Sequence, residues 1–377
     1  MIVSKNYFLL LIALTIIFPY IPAVIGGLDV QPLLIFSSSF LLLLLLLSSN
    51  KIHQELLINK AICITTIFLI IWTVLTFFIN NSPDSNFSRF LGTIIFFIYV
   101  LIGSLKINFL NRFTSIFFLG IYAVFTIIYF YTDGFIESIL IKSRDANQFT
   151  SALSSGRGSS ALSPEPSFFA NQVFMIYLFT KIFFWREVET QQKWLIFFIS
   201  SSLLILSLSV TGFIYFLIVL FTFLRTSHFF LLCSSSLFLI LIFSEKLFLL
   251  DIRVIFFLQT AYESLSSGSL TLQDTSFLVR LNSFFAYLDQ FMTHPFLGNG
   301  FILYGGGGLI SLAAELGIIG LFFLFGILTM PFISNLRVSD SIGVFLWLLM
   351  NTISGSIANP GLGIFIGMLW RRFLMRD

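Results

Sequence analysis

The sequence predicts an all-α, polytopic membrane protein. Of its 377 residues, 58% are hydrophobic and only 10% are charged, whereas about a quarter of the residues in soluble domains carry a charge. The hydrophobic residues also recur in runs long enough to cross a bilayer, which takes ~20 residues per helix. An ordinary soluble domain is thereby excluded, and a net charge of +3 is too small to indicate a nucleic-acid partner.

The apolar runs predict about twelve transmembrane helices in one integral membrane domain, residues 1–377. The N-terminal run has a basic residue and an apolar core but no clear cleavage site, so it is expected to be an uncleaved first span. The run 194–224 is too long for one crossing and is divided at the polar stretch Ser207–Gly212, which leaves the span count around 194–225 open. The predicted spans are 6–24, 32–49, 61–79, 90–105, 113–131, 168–185, 193–209, 211–225, 228–244, 308–333, 341–357 and 360–373.

The distribution of Lys and Arg residues between the loops predicts the orientation of the chain in the membrane. With twelve spans, 13 of the 20 Lys and Arg residues fall on one side, and cytoplasmic loops hold such an excess. Both termini are therefore expected in the cytoplasm. Two long segments, 132–167 and 245–307, are then outer loops, and they carry most of the polar residues that could do chemistry.

The first outer loop ends in a polar stretch, 154–170, that contains Arg157 and Glu165. The prolines on either side of Glu165 suit the start of a helix, where a carboxylate also interacts favourably with the helix dipole. Glu165 is therefore either a helix-start residue or a functional carboxylate. Arg157 is either a charge exposed to solvent and lipid headgroups or part of a site.

The second outer loop is predicted to contain an amphipathic helix near 276–292, because the apolar residues there recur at helical spacing. Such a helix is expected to lie in the membrane interface, with Arg280 on its polar side. His294, Gly298 and Gly300 follow it. These glycines either let backbone N–H groups approach an anion or simply let the chain turn back into the bilayer.

Glu315 lies about two turns inside the tenth predicted span. A carboxylate within a membrane is costly to bury and is a functional candidate by default. The alternatives are a carboxylate that packs helices together or one that is protonated. Its expected partner is an arginine of the outer loops.

These motifs together resemble the Wzy-type O-antigen polymerases, which share a superfamily of polytopic glycosyltransferases with the O-antigen ligases. The resemblance covers the topology of the whole chain, but the motifs fall only within about 154–170 and 275–320. The segments that carry it are Gly156-Arg157, Glu165-Pro166-Ser167, Arg280, His294-Pro295-Phe-Leu-Gly298-Asn-Gly300 and Glu315-Leu-Gly317-Ile-Ile-Gly320.

One departure distinguishes the two branches. Ligases typically carry a histidine followed by Asn, Ser or Gln, then nine residues and Gly-x-x-Gly. Counting back from Gly317 and Gly320 places Gly306 and Gly307 at those two positions. The missing histidine favours a polymerase, with a ligase that transfers glycan to a lipid A-core acceptor as the nearer alternative.

The resemblance implies a GT-C-like fold in the bacterial inner membrane and a reaction at its outer face. A glycan linked to undecaprenyl pyrophosphate moves onto a sugar hydroxyl of the next lipid-linked repeat unit. Arg157 and Arg280 are the expected ligands of the pyrophosphate, because guanidinium groups stabilise its developing charge. Glu165 is the first choice for the general base and His294 the second.

Four further residues are predicted at this site: Glu315 in a catalytic role, and Ser167, Gly298 and Gly300 in substrate binding. No metal or other cofactor is expected, because the outer loops contain neither an Asp-x-Asp pair nor clustered histidines. The expected partners are the lipid-linked oligosaccharide and membrane lipid, and the binding of a chain-length regulator stays open. Sugar identity, the type of polysaccharide and oligomeric state also stay open.

The rival from another class is a transporter or flippase for lipid-linked glycans. Transporters place substrate groups near the bilayer midplane, in many families between internal repeats. In this chain the ionisable groups gather in the two outer loops, and no internal repeat is evident. This distribution favours an enzyme.

Overall fold

The protein is predominantly helical wherever its structure is described. The computed structural model describes residues 24–25, 28–29, 60–80, 87–105, 112–132, 158–163, 165–224, 275–301, 308–353 and 359–375. Two short strands are present, β1 (Val24–Ile25) and β2 (Leu28–Asp29). The helices are α1 (Lys60–Ile79), α2 (Phe87–Ser104), α3 (Arg112–Thr132), α4 (Pro166–Phe179), α5 (Thr190–Leu206), α6 (Val210–Phe223), α7 (Thr275–Thr293), α8 (Ser311–Ile333), α9 (Val338–Ile353) and α10 (Pro360–Met375).

Several of these helices are suited to a bilayer. Among the described residues, four are long and apolar enough to cross a membrane: Lys60–Ile79, Ser115–Thr132, Pro166–Phe184 and Gly308–Ile333. The chain is therefore a helical membrane protein. Each predicted span within the described residues coincides with a helix, whereas the predicted spans 6–24, 32–49 and 228–244 lie outside them.

The chain divides into two compact units. The first comprises Met1–Pro19, Leu28–Phe109 and Val279–Asp377, and the second comprises Tyr20–Gly27 and Leu110–Leu278. The first unit thus contains α1, α2, most of α7, and α8 to α10. The second contains α3 to α6.

In the first unit, α2 and α10 pack unusually closely through glycines. A Cβ added at Gly363 would lie 2.8 Å from Cβ of Tyr99, and one at Gly367 would lie 2.8 Å from the backbone nitrogen of Ser104. Gly363 and Gly367 form the small-xxx-small pattern that lets helix backbones meet in a membrane. Gly103 supports the same contact from α2, because a Cβ there would lie 2.7 Å from Cα of Ile364.

In the second unit, α4 is the central helix, and almost all of its side chains are buried. It continues through a π-helical turn, Thr180–Phe184. Polar contacts join it to α6: the Tyr215 hydroxyl donates to Oδ1 of Asn171 at 3.1 Å, and the hydroxyls of Tyr177 and Thr222 lie 2.9 Å apart. Buried helices in a membrane protein use such pairs because lipid offers no alternative partner.

The long run 194–224 is two helices, as predicted. α5 ends at Leu206 and α6 begins at Val210. Ser209 caps α6, since its side chain accepts a hydrogen bond from the backbone nitrogen of Gly212 at 2.9 Å. The connection is tight, and Leu208 has a positive φ of 44°.

Candidate functional site

A buried ion pair lies at the N-terminal end of α8. The side chain of Glu315 is 1% exposed and that of Arg89, near the start of α2, is 12% exposed. Nε of Arg89 donates to Oε1 of Glu315, and the Thr93 hydroxyl lies 3.4 Å from Oε2. The cost of burying the carboxylate is thus offset by a paired charge and a polar neighbour.

Arg89 also contacts an aromatic residue of α7. Its Cζ lies 4.7 Å from the centre of the Tyr287 ring, within the range of a cation–π interaction. Tyr287 is 2% exposed. Burial raises the pKa of the Tyr287 hydroxyl, and the neighbouring guanidinium offsets only part of that rise. The phenol therefore stays protonated at neutral pH.

The ion pair stands beside a break in α8. Gly317 has φ 65° and ψ −145°, a conformation that is essentially confined to glycine. A break of this kind inside a membrane helix frees backbone carbonyls that need other donors. Nε1 of Trp72 donates to the carbonyl of Leu316 at 3.1 Å, and the backbone nitrogen of Asn299 donates to that of Ala314 at 2.9 Å.

The segment after α7 packs directly into this break. Gly298 has φ 75°, and a Cβ added there would lie 2.5 Å from the backbone nitrogen of Gly317. A Cβ added at Gly317 would lie 2.5 Å from both the nitrogen of Gly298 and the carbonyl oxygen of Phe296. The two glycine-containing motifs of the sequence therefore meet backbone to backbone.

This contact bears on the two uses considered for the glycines. The backbone nitrogen of Gly298 donates to the carbonyl of His294 at 3.0 Å, and that of Asn299 to Ala314. Both N–H groups are thus used within the protein, which favours a packing role for Gly298 over anion binding. Gly300 is buried and has φ 63°, so it too stands where the chain turns.

The partner of Glu315 differs in detail from the expectation. The sequence predicts an arginine of the outer loops as this partner. Arg89 does fall on the predicted outer side, but it belongs to a helix and not to either long loop. Its position one residue before an apolar run was the available signal, because an arginine there can reach a carboxylate one or two turns deep in a neighbouring helix.

The predicted carboxylate Glu165 lies at the helix start that its prolines indicated. Glu165 is the N-cap residue of α4 and Pro166 occupies the first turn. Its side chain makes no capping hydrogen bond to the helix backbone. Instead the Ser167 hydroxyl donates to Oε2 of Glu165 at 3.2 Å. Both side chains are half-buried, so the structure brings these two predicted residues together at the surface of the second unit.

The remaining predicted residues separate into two groups. Arg157 lies outside the described residues, so its pairing with Arg280 stays a prediction. Arg280 is half-buried on α7, and His294 is exposed just after the end of that helix.

Among the parts of the chain that the structure describes, no three His, Cys, Asp or Glu side chains are grouped as a metal site would require.

The carboxylates of the two units differ in their surroundings. In the first unit, Glu315 is enclosed and held by Arg89, an arrangement that fixes helices and gives a substrate hydroxyl no access. In the second unit, Glu165 is half-buried and has the Ser167 hydroxyl beside it. Comparison with models of known protein families finds no match to the chain, and comparison with curated proteins finds none either.

Proposed function

We propose that this protein is a membrane glycosyltransferase that polymerises lipid-linked repeat units at the outer face of the bacterial inner membrane. The observation that carries the proposal is the packing of the segment His294–Gly300 into the break at Gly317. These are two of the motifs on which the resemblance to Wzy-type polymerases rests. Their contact forms one structured region directly after α7, the helix that carries Arg280.

The second unit supports the proposed orientation. The backbone nitrogen of Ser159 donates to the carbonyl of Leu206 at 3.0 Å, so the polar stretch before α4 and the connection between α5 and α6 lie at the same end. At the other end of α4, Nζ of Lys181 lies 4.3 Å and Nζ of Lys193 5.7 Å from the centre of the Trp185 ring. Lys and Arg are enriched at the cytoplasmic boundary of a membrane, and Trp is enriched at both boundaries. This arrangement supports an orientation in which α4 begins at the outer side of the membrane and ends at the cytoplasmic side.

In the proposed reaction, the glycan moves from its lipid carrier to the acceptor sugar. The bond between the anomeric carbon of the glycan and the pyrophosphate oxygen breaks, and the electron pair leaves with undecaprenyl pyrophosphate. Arg157 and Arg280 stabilise the charge on that leaving group. A hydroxyl oxygen of the acceptor sugar forms the new bond to the anomeric carbon, and its proton passes to Glu165. His294 is the second candidate for the base.

Transport of a lipid-linked glycan is a second candidate function, and one observation favours it. A broken membrane helix with a buried charged pair is a feature of many transporters, and α8 has both at Gly317 and Glu315. The two functions differ in their product. Only a polymerase forms a new glycosidic bond, and it does so without two separated compartments.

The test is a reaction in detergent micelles with purified protein and an undecaprenyl-pyrophosphate-linked repeat unit. A polymerase yields a ladder of longer glycans, whereas a transporter leaves the substrate unchanged. Arg280→Ala is expected to slow chain growth by about 10²-fold or more, the usual loss when one charge-stabilising donor is removed. Arg337→Ala, at an exposed arginine in the short loop after α8, is the matched control and is expected to keep full activity. Absence of any ladder from the native protein would overturn the proposal.

A further inference from the structure

Few of the described side chains of helix α7 are fully buried. Of its residues with described side chains, 280–293, only Tyr287 and Gln290 are buried. The amide atoms of Gln290 make no hydrogen bond to the described part of the chain. Exposed apolar residues cover another side of the helix: Phe285, Leu288 and Met292.

Tyr287 joins α7 to the neighbouring helix α2. Its ring lies against the guanidinium of Arg89, and that guanidinium is itself held by Glu315 of α8. Contacts thus run from α8 through α2 to α7. A planar guanidinium suits this position because its edge can pair with a carboxylate while its face lies on an aromatic ring.

Tyr287 shares its side of α7 with Arg280. The two are seven residues apart, and seven residues turn an α-helix by about 700°. This is about 20° less than two full turns, so the two side chains leave the helix in nearly the same direction. Their separation along the helix axis is about 10.5 Å. Any rotation of α7 that moves Tyr287 off Arg89 therefore turns Arg280 by the same angle.

We infer that Arg89 is a positioning residue that sets the rotation of α7 and thereby the direction of Arg280. Its role in substrate binding rests on the proposed function, because Arg280 is there assigned to the pyrophosphate. Its role in fixing α7 rests on the contacts alone. The two parts are separated by two measurements.

The first measurement follows the rotation of α7 without substrate. In a protein whose natural cysteines are replaced, single variants Asp289→Cys and Gln290→Cys are labelled with a water-soluble maleimide. Asp289 is exposed and Gln290 is 7% exposed, so the first is expected to react much faster. Adding Arg89→Ala is expected to reduce the ratio of the two rates about tenfold, whereas adding Arg337→Ala leaves it unchanged.

A second variant guards against loss of folding. Arg89→Ala leaves Glu315 buried without its charged partner, whereas Tyr287→Leu removes the contact with Arg89 and leaves the ion pair in place. Tyr287→Leu is expected to shift the labelling ratio in the same direction. An unchanged ratio in both variants would overturn the inference, because α7 would then be fixed by something else.

The second measurement follows substrate. Arg89→Ala is expected to raise the KM for the lipid pyrophosphate about tenfold with a smaller effect on kcat, and Arg89→Lys to recover part of the loss. A purely structural role would lower the amount of active protein and leave KM unchanged. If the native protein forms no glycan ladder but Arg89→Ala still shifts the labelling ratio, the proposed function is refuted. The positioning of α7 by Arg89 then remains supported.

Discussion

Removal of either member of the Arg89–Glu315 pair is expected to destabilise the protein strongly. The single variants are Arg89→Met and Glu315→Met, and the double variant combines them. With side chains 12% and 1% exposed, each single substitution leaves a buried charge without its partner, which costs about 3–5 kcal/mol. The double variant leaves no charge, so its stability is expected to lie within about 2 kcal/mol of the native protein.

The stability measurement is unfolding in mixed micelles at increasing denaturing detergent, followed by circular dichroism. The difference between the double variant and the sum of the singles gives the coupling energy. Asp289→Asn is the control, because Asp289 is exposed on α7 and its change is expected to stay within about 0.5 kcal/mol. Additive losses in the double variant would refute the assignment of these side chains to one buried pair.

Chain growth by the double variant then separates structure from function. If the pair acts only by holding α2 against α8, a folded double variant keeps the native rate. If Arg89 positions α7, the folded double variant loses affinity for the lipid pyrophosphate although its stability is restored. The same protein preparation thus answers both questions.

Three further substitutions, two of them paired with a control at a glycine that has open space, test the packing. Gly317→Ala is expected to lower the free energy of unfolding by about 1–3 kcal/mol because of the positive φ at this position alone. Gly326→Ala is the control in the same measurement, because a Cβ there would contact nothing within 4 Å. It is expected to be neutral or slightly stabilising. Gly367→Leu should weaken the α2–α10 contact by about 1–3 kcal/mol through overpacking and lower the midpoint of thermal aggregation. Gly120→Leu is the control, because Gly120 has open space around it, and it should leave that midpoint unchanged. Tyr177→Phe removes the hydroxyl that bridges α4 and α6 and should cost about 0.6 kcal/mol, the usual value for hydrogen bonds between membrane helices; no loss of unfolding free energy would show that the bond contributes nothing.

Helix positions were predictable because each follows from a local pattern. Apolar runs and prolines are read directly from neighbouring residues, and the ends of the described helices fall close to the predicted ones. The division of 194–224 followed from its length, which is too great for a single crossing, and the polar residues at 207–212 indicated where the break lies. The start of α4 at Pro166 followed from the conformation of proline itself.

The Arg89–Glu315 pair was not predictable in the same way. A buried carboxylate is expected to pair with a cation, but the sequence contains several arginines on the predicted outer side. Which of them lies beside Glu315 depends on how the helices pack, and the sequence does not show this. The contact of Gly298 with Gly317 was hidden for another reason. Glycine lets either an anion or another backbone approach closely, and its identity alone does not distinguish these two uses.

The pair also changes which carboxylate is suited to catalysis. Glu315 is 1% exposed and is occupied by Arg89 and Thr93, so an acceptor hydroxyl could reach it only after α2, α7 and α8 moved apart. Glu165 is half-buried, and it stands at the start of α4 with Ser167 beside it. A general base must come within hydrogen-bonding distance of the proton that it removes. Under the proposed function, the partly exposed Glu165 is therefore the better candidate for the base, and Glu315 is better explained as the residue that holds Arg89 against Tyr287.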